Sequence, residues 1–144
     1  MGVVADLIQV PEKIQLAIEV ALGNALQNVV VKDEYSARDL INFQKQNGIG
    51  RITFLPLSSY RTREIDPACR NIVNERGCLG VASKLIKFDS RFNNIFSGLL
   101  GNTVVCDNVD IGIDLARKYS YQVKIVTLDG EVFNTKKTKK NTKI

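Results

Sequence analysis

The chain has 144 residues, 44% of them hydrophobic and 24% charged. A chain of this length buries roughly 68–70% of the surface its unfolded form exposes, so one domain or two small lobes fold without a disulfide or metal staple. The composition excludes wholesale disorder, and no apolar run approaches the roughly 20 residues of a membrane-spanning helix. The opening MGVVADLIQVPEK contains Asp6 and no basic n-region, which argues against a signal peptide. Cys69, Cys78 and Cys106 are odd in number and lack CxxC spacing, so they read as reduced thiols of a cytosolic protein rather than zinc or redox ligands.

The net charge of +5 has a local origin. Residues 135–144, TKKTKKNTKI, hold five lysines and no acid, so the 15 basic and 15 acidic residues of 1–134 balance. The excess belongs to the tail, not to a face of the fold. Lysine-rich tails can bind phosphate backbones non-specifically, but more often they are solvated ends.

Catalytic readings fail on residue types. The chain has no histidine, which removes the commonest general base and metal ligand and excludes Ser-His-Asp and Cys-His constellations. No GxxxxGK[ST] or GxGxxG follows a strand, and Gly48-Ile49-Gly50 is too short to cradle phosphates. Asp33 and Glu34 are adjacent, so in regular structure they do not converge as glycosidase carboxylates must. Without a local base, each cysteine reads as a small buried or incidental thiol rather than a nucleophile.

In chain order, Ile14, Ala17, Ile18, Ala21 and Leu22 recur at helical spacing from Pro11, and Gly23 closes that helix. LQNVVV is a short buried-strand run. Residues 34–47 are again helical (Ala37, Leu40, Ile41) and stop at Gly48, and RITFLPL is a strand with Pro56 at a sheet edge. LGVASKLIKF reads as a short helix. Asp89 caps a helix carrying Phe92, Ile95, Phe96, Leu99 and Leu100 that ends at Gly101; TVVC is a strand. Residues 107–119 form a helix with Ile111, Leu115 and Ala116 on one face. VKIVTL is the last long strand, and Asp129-Gly130 turns it into EVFN.

The order helix, strand, helix, strand thus occurs twice. Leu22-Gly23-Asn24 answers Leu100-Gly101-Asn102, and Asp39-Leu40 answers Asp114-Leu115. Two copies are too few for a solenoid. They predict an α+β fold of two related lobes, each with helices packed on a small sheet: lobe I over 1–57, a connecting segment over 58–80, lobe II over 81–134 and a lysine tail over 135–144. The stretch from Ser58 to Gly77 carries Arg61, Arg63, Arg70 and Arg76 against three acids, and reads as a connection rather than a basic patch.

These residues carry a resemblance. AIEVALGNALQNVVV and GRITFLPL, followed by LGVASKLIKFD, LLGNTVVCDNVDIGIDLARK and IVTLDGEVFN, resemble the hinge domain of bacterial structural-maintenance-of-chromosomes (SMC) proteins, in the family's order from about Gly2 to Asn134. The resemblance implies a non-enzymatic, cytoplasmic and nucleoid-associated role with no cofactor or metal. Such a hinge sits between two coiled-coil segments of a long ATPase, joins two chains into a homodimer and can contact DNA. Neither ATPase head nor sustained heptads occur in these 144 residues, so the chain is expected to be a hinge apart from the rest of its parent.

One departure stands out. Family hinges carry paired glycines after the last strand, as part of the dimer interface, where backbones of two subunits approach closely. Here Asn134, Thr135, Lys136, Lys137, Thr138, Lys139 and Lys140 occupy that place. Hydrated charges are depleted from interface cores, so a monomer or weak dimer is expected. Lys136, Lys137, Lys139, Lys140 and Lys143 are the expected DNA contacts, weak and salt-dependent. The competing reading is a stand-alone regulatory module that binds a ligand between its two lobes. A third, a nucleic-acid binder acting through the tail alone, predicts that deleting 135–144 abolishes all binding.

Overall fold

A computed structural model describes residues 1–48 and 52–136. The first half runs β1 (Gly2–Val3), β2 (Ile8–Gln9), α1 (Gln15–Leu22), β3 (Val29–Val31), α2 (Glu34–Asn47) and β4 (Phe54–Pro56). The second runs β5 (Cys78–Val81), β6 (Lys87–Phe88), α3 (Asn93–Leu100), β7 (Thr103–Cys106), α4 (Val109–Lys118), β8 (Lys124–Thr127) and β9 (Val132–Phe133). The expected alternation is therefore present twice, as α1-β3-α2-β4 and α3-β7-α4-β8.

Local chemistry sets the helix boundaries. Asp33 accepts a hydrogen bond from the Ser36 amide at 2.8 Å and opens α2. Gly48, at φ 65°, closes it in the left-handed region that favours glycine. Asn108 plays the opening role for α4 by accepting from the Ile111 amide at 3.0 Å. Asp89 caps a 3-10 turn, Ser90–Phe92, that leads into α3.

The halves keep separate sheets. β1-β3-β4 forms one and β5-β7-β8-β9 the other, each centred on a parallel pair joined by a helix: β3 with β4 through α2, and β7 with β8 through α4. Pro56 lies on edge strand β4, where its missing N–H interrupts no ladder. A two-stranded antiparallel ribbon, β2 with β6, ties one half to the other. Between the halves lies a shared core in which Val4, Ile18, Leu22 and Val30 meet Phe92, Phe96, Leu100, Val105 and Val126. Helix α1 packs on β8 across this boundary, and Lys124 Nζ donates to the Ala21 carbonyl at 2.9 Å. A smaller core of Ile72, Val104, Leu115, Val123 and Ile125 lies on the other side of the second sheet.

One expected element differs. LGVASKLIKF is not a helix: its residues lie in strand β5, a 3-10 turn (Ala82–Lys84) and strand β6. Helical periodicity is a local signal, and here pairing of β5 with the buried β7 overrides it; Gly80, at φ 138°, sits at a register shift that helical backbone does not contain. The segment expected to connect the lobes also carries order of its own, since Pro67–Asn74 is a 3-10 stretch with Ile72 buried and β5 begins at Cys78.

Candidate functional site

The proposed interface residues begin where β9 ends. The ring of Phe133 packs over Gly112 of α4, where a Cβ would stand 2.7 Å from the ring. Asn134, Thr135 and Lys136 follow, all exposed. The Lys136 amide donates to the Tyr121 carbonyl at 2.9 Å, which holds the departing chain beside the end of α4. Ser120 and Tyr121 adopt φ 56° and 58°, a left-handed bend that presents this carbonyl. Lys137, Thr138, Lys139, Lys140 and Lys143 lie outside the described residues. The second sheet therefore offers an edge strand, β9, with exposed polar residues continuing from it.

A second surface was not legible beforehand. Residues 61–65 run across α3 so closely that a Cβ on Gly98 or Gly101 would collide with the carbonyl oxygens of Arg61 and Arg63. Ser97 Oγ donates to the Arg63 carbonyl at 3.1 Å and fastens the crossing. Beside it opens a cleft of about 710 Å³ where Arg63, Arg70 and Lys84 converge with Glu64 and Ser97. None of the three cations forms an ion pair among the described residues. Counting charge along 58–77 missed this site because Lys84 joins it from another segment. The available signal was Ser97, Gly98 and Gly101, small residues within one helical turn that admit a crossing backbone.

A third surface is apolar. Of the residues in α2 only Ala37 is buried, while Tyr35 and Phe43 are 69% and 56% exposed. By contrast, Gly112, Leu115 and Ala116 of α4 are buried.

The remaining polar chemistry is structural. Tyr119 donates its hydroxyl proton to Glu75 Oε2 at 2.5 Å, and Lys118 Nζ lies 2.7 Å from the same oxygen. Lys118 and then Tyr119 hold the Glu75 carboxyl below the ordinary range, while the bond to Glu75 pushes the phenol up to about 12. Burial pushes all three thiols up, Cys106 to about 11, the reverse of an activated nucleophile. Among the described residues no group of three His, Cys, Asp or Glu side chains is placed to hold a metal ion. No helix there is long and apolar enough to cross a membrane.

The sequence is matched by a family model described as the SMC proteins flexible hinge domain, over residues 1–116. The chain belongs to that family. Among solved structures, the SMC hinge domain of Geobacillus stearothermophilus, an asymmetric dimer, superposes with a TM-score of 0.90 at 35% identity, covering 96% of this chain and 57% of that one. The Pyrococcus furiosus SMC hinge domain gives a TM-score of 0.78, also at 35% identity, over 94% of this chain and 68% of its own. The chromosome partition protein Smc of Bacillus subtilis is 40% identical over 134 residues, 92% of this chain and 11% of that protein. The hinge thus spans about a tenth of the length of such curated relatives.

Proposed function

We propose that this hinge joins two copies of a chromosome-partition SMC chain into a homodimer, takes no part in catalysis itself, and works in the cytoplasm on the nucleoid. The observation that carries the reading is the 0.90 superposition over 96% of the chain on a hinge from a dimeric structure. The residues that follow β9 form part of the surface between copies, and the lysines there weaken it. In a two-fold interface each substitution acts twice, so Lys136, Lys137, Lys139 and Lys140 bring like charges together from both subunits. Sedimentation of the whole chain over a wide concentration range tests this. Salt-responsive self-association that tightens when these four lysines are replaced by glycine supports it. A chain that stays monomeric at high concentration, with and without the four replacements, refutes it.

DNA contact is the second part of the proposal, with Lys136, Lys137, Lys139, Lys140 and Lys143 against phosphates. Each phosphate contact contributes a slope of about −0.9 in log affinity against log salt on duplex DNA. Weak, steeply salt-dependent binding is the expected result, and salt-indifferent binding excludes it; loss of all binding on deleting 135–144 would instead favour a binder acting through the tail alone. The alternative of a ligand-binding module draws no support from the large cleft, because none of its lining residues comes from 1–57. The hollow that does straddle the halves, about 290 Å³ over the β2–β6 ribbon, is walled only by residues 6–9 and 87–89.

A further inference from the structure

Cys69 lies in the segment between the halves, whereas Cys78 and Cys106 lie on paired strands of the second sheet and face each other. Cys78 and Cys106 are direct partners in the antiparallel pairing of β5 with β7. Hydrogen bonding identifies the kind of pair. The Asp107 amide donates to the Gly77 carbonyl at 2.9 Å, one residue outside the pair, while the Cys78 amide donates to the Glu75 carbonyl at 3.1 Å. That is the pattern of a non-hydrogen-bonded pair, whose Cα atoms stand about 4.5 Å apart and whose side chains leave the same face of the sheet. Disulfides span Cα separations of about 4.4–6.8 Å, so the pair meets the requirement without moving a strand.

The surroundings agree. Cys106 is fully buried in the smaller core and Cys78 is half-buried against it, so both sulfurs belong to one apolar cluster. The register shifts immediately after the pair, between Cys78 and Gly80, and such a bulge gives the strand local freedom to seat a cross-link. Cys69 has no such partner position, because it lies on the 3-10 stretch Pro67–Asn74 rather than in the ladder.

We propose that Cys78 and Cys106 are a redox modification site that closes into a reversible cross-strand disulfide. The oxidant is a low-molecular-weight disulfide such as oxidised glutathione. The half-exposed Cys78 loses its proton and attacks one glutathione sulfur, breaking that S–S bond and releasing one glutathione thiolate. Cys106 then loses its proton and attacks the Cys78 sulfur of the mixed disulfide, releasing the second thiolate. The two protons end on the two glutathione thiols, so two protein thiols are oxidised as one small disulfide is reduced. The bond closes the chain from β5 to β7 around β6 and α3, and fixes the first strand of the second sheet to its central strand.

The sequence lends itself to a direct test. Tryptic cleavage after Arg63, Arg70, Arg76, Lys84, Arg91 and Arg117 places Cys69, Cys78 and Cys106 on the separate peptides 64–70, 77–84 and 92–117. The whole chain is incubated overnight with excess oxidised glutathione at about pH 8.5, near the ordinary thiol pKa, then alkylated and digested without reductant. The expected product has lost two hydrogens, links 77–84 to 92–117, keeps Cys69 alkylated and reverts with dithiothreitol. Cys69→Ser retains the link, whereas Cys78→Ser and Cys106→Ser each abolish it. Three alkylated cysteines, a persistent glutathione adduct on Cys78, or a link through Cys69 overturns the proposal.

Discussion

The two β-α-β units follow the same sequence logic and reach different degrees of burial. In both, a parallel strand pair is joined by a helix whose first turn is capped from the second residue after the strand, Asp33 in one and Asn108 in the other. Yet β7 is buried throughout and α4 seats Gly112, Leu115 and Ala116, while α2 buries Ala37 alone. The cause is the number of layers. The second sheet lies between the shared core and a cover made of α4 and the Pro67–Asn74 stretch, whereas among the described residues between β3 and β4 there is α2 alone. An amphipathic stripe therefore reports that a helix has an apolar side, and the neighbouring elements decide how much of that side is covered.

The sharpest test uses equivalent positions. Leu40 and Leu115 correspond in the repeat, but Leu115 is 3% exposed and Leu40 is 43% exposed. Leu115→Ala is expected to destabilise by about 2–5 kcal/mol, the range for a buried leucine whose removal leaves a cavity. Leu40→Ala should cost less than about 1 kcal/mol, because little apolar surface returns to water. Urea denaturation of both variants measures the difference, and equal losses would show that α2 is covered as well as α4.

The same contrast explains what was legible in the residues alone. Helix α2 could be placed to its last residue because a helical run and Gly48 coincide within one segment. TVVC and Pro56 were readable for similar reasons, since a short apolar run and a missing N–H act locally. The stretch after Gly77 was not, because β5 exists by pairing with β7 more than 20 residues away. Nor does any periodicity announce that α1 of one half covers β8 of the other. The repeat implied two lobes; the shared core between them is a product of topology. The expected interface residues begin at the end of β9, but the cleft of Arg63, Arg70 and Lys84 is assembled from segments that each look unremarkable in charge.

A smaller effect is expected where the helices meet β9. Ala37 and Gly112 are equivalent in the repeat, and in the second half the ring of Phe133 from β9 lies against Gly112. Gly112→Ala forces that ring aside, an overpacking cost of about 1–3 kcal/mol, partly offset by about 1 kcal/mol of helix propensity. The net expectation is a loss of about 1 kcal/mol, read as a drop in thermal midpoint. Combining Gly112→Ala with Phe133→Leu should relieve the clash; if the double variant melts no higher than the single one, the ring is not what excludes the side chain.

The finest difference between the units lies in their caps. Asn108 is neutral, so its bond to the Ile111 amide is present at every pH; Asn108→Ala should cost about 1 kcal/mol uniformly across a pH series. Asp33 does the same work with a charge, and the Ser36 backbone amide holds its carboxyl below the ordinary range. A carboxyl with a folded-state pKa below its unfolded value binds protons more readily in the unfolded chain. Its contribution is therefore complete above the unfolded pKa and is lost as pH falls through the folded one. Asp33→Asn keeps a capping oxygen but removes the titration, so the stability difference between parent and variant should shrink as the medium is acidified below the carboxylate range. The corresponding swap, Asn108→Asp, should introduce that acid sensitivity into the second unit. A parent–variant difference at position 33 that stays constant through the acid range would mean that the cap acts through its geometry alone, and that the two units differ in burial but not in how their helices begin.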